Sequence, residues 1–305
     1  MFFWGLILIV LVNIGPSSTK CSQIPTGLYC TNLVEGTDNK TLTIQSDDDE
    51  PTTDVQFVYL RNSTGGINNK TFSNFTKLKS LDIQFSHIDK FSLNINTVNS
   101  IYLMHNSKFP ALSAELMEDC CKTVSILFLV GNNDLKIETG AFKHMTNLTH
   151  LTISKQNITS LTKQFFDGLN KLTYLNLKLN GILKINENAF EDLAELNHLI
   201  LSYNNFTKLE AKTFHNLKLL EAMELQGLNF SEFDLNIFSS QKELKTLELP
   251  TKLIGKLELE QLVKAFPKLE TFGFSNEEKE GNTTTFIEKC KASGYNIKFS
   301  NSYDL

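Results

Sequence analysis

Six histidines, five cysteines and an acidic run are the side chains here best equipped for chemistry, and their spacing decides what they can do. His150 and His198 lie two lengths of an internal repeat apart, which brings them within roughly 10 Å if each repeat adds one strand. No carboxylate or thiol joins them at metal-ligand spacing, so they read as surface histidines. Asp47, Asp48, Asp49 and Glu50 lack the glycine and bidentate glutamate of a calcium loop, and a solvated turn accounts for them. Cys21 and Cys30 bracket an eight-residue loop, a spacing that suits a disulfide in an oxidising compartment. Cys121 takes a position that leucine fills elsewhere, so it reads as a buried core residue. Two readings stand for Cys120 and Cys290: buried thiols, or the link of a disulfide-joined oligomer, a vicinal Cys120–Cys121 bridge being strained. The sequence has no zinc-protease motif, phosphate-binding glycine loop or nucleophile elbow. It reads as a non-enzyme, with no catalytic residue, metal ligand or cofactor.

What must position these groups is a repeat. From Val124 to Leu244 the chain returns to the same pattern every 24 residues. One copy places Leu172, Leu175, Leu177, Asn180, Ile182, Ile185, Phe190 and Leu193 at fixed offsets. The next places Leu196, Leu199, Leu201, Asn204, Phe206, Leu209, Phe214 and Leu217. About ten repeats start at Val55, Leu78, Val98, Val124, Leu148, Leu172, Leu196, Leu220, Leu244 and Leu269, the early ones at uneven spacings of 23, 20 and 26 residues. Each L-x-L predicts a short strand with two inward side chains, and successive strands pair in parallel at about 4.8 Å. The recurring Phe142, Phe166, Phe190 and Phe214 fill the wider return leg. After each strand stands Asn106, Asn132, Gln156, Asn180 or Asn204, whose amide can satisfy backbone groups where the chain leaves the sheet. Ser86 and Leu228 hold the same site elsewhere, and the ladder should weaken at Leu228.

Stacked units need capped ends. The expected division is a signal peptide at 1–19, an N-terminal cap at 20–54 with Leu42 and Ile44 as its first strand, repeats over 55–282, and a cap at 283–305. In that last cap Thr283 to Ser293 reads as a helix with Phe286, Ile287 and Cys290 on one face. Gly294 stops it, and Ile297 and Phe299 lie on a closing strand.

The strand positions flanking each L-x-L face solvent on the inside of the curve. In the early repeats they are rich in apolar and aromatic groups: Tyr59, Tyr102, Met104, Ile126, Phe128 and Val130, followed by His150 and Tyr174. Such a patch on an exported protein is the candidate partner site. The apolar run Met1 to Val12, followed by small residues, reads as a secretory leader and is too short to span a bilayer. Nine Asn-x-Ser/Thr triplets start at Asn39, Asn62, Asn69, Asn74, Asn147, Asn157, Asn205, Asn229 and Asn282. Asn157, Asn205 and Asn229 share one position just after the ladder site, so glycans there would line one rim. A formal charge of −5 gives no case for nucleic acid or anionic membrane as partner. No other stretch is long and apolar enough to cross a membrane.

With its leader, sequons and cysteine-bounded start, the run Leu172 to Leu217 resembles the extracellular leucine-rich-repeat family. That family includes Toll-receptor ectodomains, small secreted repeat proteins and the secreted leucine-rich immune proteins of mosquitoes and other insects. The resemblance implies an α/β solenoid, a horseshoe with a parallel concave sheet and an irregular, short-helical convex side. It also implies a secreted, soluble factor of innate immunity that takes an extracellular protein or microbial surface ligand on its concave face. A matrix or signalling modulator without immune role is the alternative. The insect group often adds a coiled coil and further cysteines, and the wider family a C-terminal cysteine cap. This sequence has none of these: Cys290 stands alone and the only tryptophan is Trp4.

Overall fold

Alternating apolar and polar residues in each repeat core make a half-buried strand, because successive side chains leave a strand on opposite faces. In the computed structural model a strand begins two residues after each of the ten repeat starts. The structure describes residues 21–34, 42, 44, 54–68, 70–93, 96–132, 134–230, 233–256, 258–275 and 282–300. In order the elements are Cys21–Ile24 (β1), Gly27–Thr31 (β2), Phe57–Arg61 (β3), Ser80–Gln84 (β4), Ser100–Met104 (β5), helix Ala114–Cys120 (α1), Ile126–Val130 (β6) and His150–Ser154 (β7). Then come Ser160–Leu161 (β8), Tyr174–Asn176 (β9), Lys184–Ile185 (β10), His198–Ile200 (β11), Ala222–Glu224 (β12), Thr246–Leu249 (β13), helix Leu259–Ala265 (α2), Thr271–Ser275 (β14), helix Asn282–Ala292 (α3) and Asn296–Ser300 (β15).

Among the described residues one sheet of 13 strands runs β1-β2-β3-β4-β5-β6-β7-β9-β11-β12-β13-β14-β15. Every pair is parallel except the β1–β2 hairpin. β8 and β10 pair separately on the return leg. Unbroken chain order and constant register put equivalent residues in rows: Phe57, Ser80, Ser100, Ile126, His150, Tyr174 and His198 form one, and Tyr29, Tyr59, Asp82, Tyr102, Phe128 and Thr152 another.

The core lies between sheet and return leg. Phe166, Phe190, Phe214, Phe238 and Phe266 stand in a column with neighbouring ring centroids 5.6, 6.0, 5.6 and 5.8 Å apart, all essentially sealed from solvent. Removing each such side chain from water contributes about 1.5–3 kcal/mol. The return leg is irregular, with 3-10 turns at Lys163–Phe166 and Leu235–Phe238. α1 is a departure from that pattern. It starts at Ser113, whose side chain accepts from the Leu116 N–H at 3.2 Å, and fills the long third repeat.

The ladder forms as expected. Asn204 Oδ1 accepts from the Asn180 and Ile182 N–H groups at 3.1 Å each, and its Nδ2 donates to the Leu177 and Leu201 carbonyls. Asn180 repeats this one turn earlier, accepting from the Gln156 N–H at 2.9 Å. Asn132 accepts from the Asn106 N–H, Asn106 from the Ser86 N–H, and Ser86 Oγ from the Ser63 N–H. At Leu228 the site is buried hydrocarbon. There the sheet is tied instead by the Gln226 N–H donating to Ser202 Oγ at 3.2 Å.

Both caps hold a lesson. Leu42 and Ile44 lie outside any strand; the sheet begins with the β1–β2 hairpin that carries the two cysteines, and Gly27 to Thr31 in β2 has the alternating burial that a strand needs. Leu42 is buried beside the Gly66 carbonyl, which accepts from its N–H at 2.7 Å. Cys21 and Cys30 face each other in the hairpin and are joined by a disulfide. At the other end α3 packs Phe286 and Cys290 inward, and Gly294 ends it at φ +85°.

The oligomer-linking role considered for Cys120 and Cys290 is corrected. Cys120, the last residue of α1, is bonded to Cys121, its C-cap, and both are buried. Cys290 is fully buried, and desolvation pushes its thiol up to about 11, so neither cysteine offers a thiolate to a second chain. The leader at 1–19, the acidic run Asp47 to Glu50, Asn39 and Asn69 lie outside the described residues.

Candidate functional site

The concave face divides into an aromatic N-terminal part and a more covered C-terminal part, where Tyr174, Asn176, His198, Glu224 and Thr246 keep partial exposure. In the first, Tyr59, Tyr102, Met104, Ile126 and Phe128 are all partly exposed on neighbouring strands. Tyr102 stacks on Phe128 with centroids 5.0 Å apart, and Tyr29 leans on Tyr59 at 6.4 Å. The flanking row carries His150, Tyr174 and His198, whose rings stack at 5.7 and 5.9 Å. The Tyr174 ring sits between the two histidines, and desolvation by burial lowers the His150 pKa. Burial first, and then Glu224, raise the Tyr174 hydroxyl.

Several inward positions expected in solvent are covered. Val130 is only 9% exposed and leaves the candidate surface; Thr152, Ser154, Ile200, Ser202, Ala222, Gln226 and Glu248 are buried as well. Part of the cause lies in the turns. The residue after the third inward position adopts positive φ in repeat after repeat, at Asn62, Phe85, His105, Gly131, Lys155, Leu179, Tyr203 and Gly227. Such side chains fold over the next repeat: a Cβ at Gly131 would collide with the His105 ring, and one at Gly227 with the Tyr203 ring. Lys178 is buried here with its ammonium 5.4 Å from the centre of the Tyr203 ring.

Four residues were not singled out in the sequence. Tyr29 extends the aromatic row through the hairpin. On the rim, the Arg61 guanidinium lies 4.9 Å over the Phe85 ring, which stacks on His105 at 5.3 Å; Phe85 is 45% exposed. Asp82 lies between Tyr59 and Tyr102 in the row. Burial pushes its carboxyl up to about 6, against a partly opposing hydrogen bond from Gln84. The signal for Asp82 was present: it is the only carboxylate among the inward positions of the first five repeats.

Among the described residues no group of three or more histidine, cysteine or acidic side chains is placed to hold a metal ion, and no helix is long and apolar enough to cross a membrane. A hollow of about 320 Å³ lined by Leu93, Pro110, Glu115 and Leu116 lies beside α1, away from the strip. Of the sequon residues, Asn62, Asn74, Asn147, Asn157, Asn205 and Asn229 are all exposed, Asn282 opens α3, and none of these seven is on an inward strand position.

A curved parallel sheet built from repeats, an asparagine ladder and a column of phenylalanines define a leucine-rich-repeat solenoid. Residues 135–256 match the family model described as BspA type leucine rich repeat region, in six copies. That match falls where the 24-residue spacing is strict and leaves out the uneven early repeats. No curated protein matches the chain. Among solved structures, the crystal structure of a TLR13–ssRNA13 complex matches with a TM-score of 0.65 and 21% identity over 84% of this chain. The chain spans 38% of that chain's length. At this identity the likeness carries the fold alone.

Proposed function

We propose that the protein is a secreted leucine-rich-repeat scaffold, a soluble recognition factor of innate immunity that takes a protein or microbial ligand on the N-terminal half of its concave face. The observation that carries this reading is the strip from Tyr29 through Phe128, where aromatic side chains sit on rigid, register-locked strands and keep solvent access. Rigid aromatics lose little entropy on binding and bury large areas, which is the composition of interface anchors. Secretion draws support from the apolar leader and from the exposure of six sequon asparagines. The immune reading draws support from the Toll-like fold and from the resemblance to insect immune repeat proteins.

The test is the pair Tyr102→Glu and Phe128→Glu in one chain. Both side chains are partly exposed, so the variant should be exported and folded, with an unchanged circular dichroism spectrum. It should lose the proteins or microbial material that the wild type captures from native body fluid, read by mass spectrometry. A folded, exported variant that captures the same material overturns the concave-face reading. Deposition in matrix without induction by infection would favour the modulator role.

A further inference from the structure

Asp82 is the one acidic side chain in the aromatic row, and its bonding is incomplete. Oδ2 accepts from Gln84 Nε2 at 3.0 Å, while Oδ1 is buried with no donor. No basic side chain among the described residues pairs with it, and Arg61 on the adjacent strand is held over Phe85. The register partners of Asp82 are Tyr59 on β3 and Tyr102 on β5, whose strands are separated by two sheet spacings, roughly 10 Å. Aspartate is far shorter than tyrosine, so its carboxylate lies lower on the face than the two rings flanking it in register, a slot whose floor, Oδ1, is closed to solvent in the free protein. Each ring has its aromatic neighbour on the far side, Tyr29 for one and Phe128 for the other.

We propose that this slot receives an arginine side chain of a protein partner, its guanidinium entering between Tyr59 and Tyr102 to pair with the Asp82 carboxylate. The proposal rests on the concave-face reading above and names the chemistry of the ligand. A guanidinium is flat enough to stack between two rings, is attracted by their faces, and presents forked donors that match a carboxylate two by two. It supplies the donor that Oδ1 lacks. A lysine ammonium would pair but not stack, and an anion would meet an unpaired carboxylate. Access to Oδ1 needs a small turn of the tyrosine rings, a side-chain adjustment common at interfaces. The groups facing Asp82 are Tyr59 and Arg61 from β3, Gln84 beside it, and Tyr102 with Ser100 from β5; both tyrosine hydroxyls are raised by burial first and by Asp82 next. A guanidinium would lower the Asp82 pKa, so binding near pH 6 releases a proton.

The probe is acetyl-Gly-Arg-Gly-amide, with the citrulline peptide as its uncharged isostere, titrated into the whole protein by ligand-observed NMR at pH 7. The wild type should bind the arginine peptide and not the citrulline peptide, and Asp82→Asn should weaken the arginine peptide by about ten-fold or more. Circular dichroism confirms that the variant is folded. No arginine-dependent signal in the wild type, equal binding of the two peptides, or unchanged binding by Asp82→Asn overturns the proposal. The two readings fail separately. If Asp82→Asn still captures the native partner while the Tyr102 and Phe128 double variant does not, the concave face stands and the arginine slot falls.

Discussion

Asp82 sits badly for stability, and the cost can be measured without any ligand. Its carboxyl, near 3.8 when unfolded, is pushed up to about 6 in the fold by burial. Between about pH 4 and pH 6 the folded protein therefore binds more protons than the unfolded chain, and stability falls as pH rises through that window. A shift of that size amounts to about 3 kcal/mol at neutral pH. Asp82→Asn keeps the shape and removes the ionisation. It should raise the urea midpoint at pH 7.5 by a corresponding amount, and the gain should shrink as pH falls through 6 and vanish below about pH 3, where Asp82 is protonated in both states. An equal effect at both pH values would mean that ionisation is not the cause. A residue that destabilises a fold on an exposed, aromatic-walled face is what a binding site leaves behind when selection favours the complex over the free protein.

At the scale of the element, the asparagine ladder substitutes for hydrogen bonds that each strand end would otherwise lack. Asn180 satisfies three buried backbone groups at once: the Gln156 N–H and the Ile153 and Leu177 carbonyls. Asn180→Ala takes the partner from the Gln156 N–H and the Ile153 carbonyl, while the Leu177 carbonyl keeps its bond from Asn204, and should lower stability by about 2 kcal/mol, since each unmet buried group costs about 1 kcal/mol or more. Urea unfolding followed by circular dichroism reads this directly, and a loss under 1 kcal/mol would mean that the backbone rearranges to pair itself. This ladder, the ten strands and the phenylalanine column were legible in the sequence because one side-chain type recurs at one spacing. The β1–β2 hairpin was not, since Cys21 to Thr31 has no second copy against which to set its register. Nor was the covering of Val130 and Ser154 legible. L-x-L alternation says which way a side chain points, but not whether a left-handed turn residue such as His105 or Tyr203 folds across the next repeat. Asp82 was legible as an inward carboxylate; its missing donor emerged only once Gln84 was placed on one oxygen and Arg61 over Phe85.

For the whole molecule, the limiting problem is the two ends of an otherwise repeating stack. Any parallel sheet built by addition presents an open strand edge, and here the C-terminal edge is handled by α3 and β15. Phe286 of α3 packs edge-on against both Phe272 and Phe274 of β14, with centroids 6.2 Å away in each case. Tyr295 adds a second edge-on contact to Phe272 at 5.2 Å, and Cys290 fills the space beneath. Removing residues 276–305 would bare two phenylalanines and every unpaired backbone group of β14, a surface that templates strand addition from another chain. The truncated protein should elute as dimers or larger species in size-exclusion chromatography with light scattering, where the full chain elutes smaller at the same concentration. The aromatic strip lies at the other end of the solenoid, so arginine-peptide binding at Asp82 should survive the truncation within about two-fold, because repeats couple mainly to their neighbours. A truncated chain that stays the size of the full protein would show that α3 and β15 are dispensable as a cap. One that loses peptide binding would show that the two ends are coupled through the whole stack.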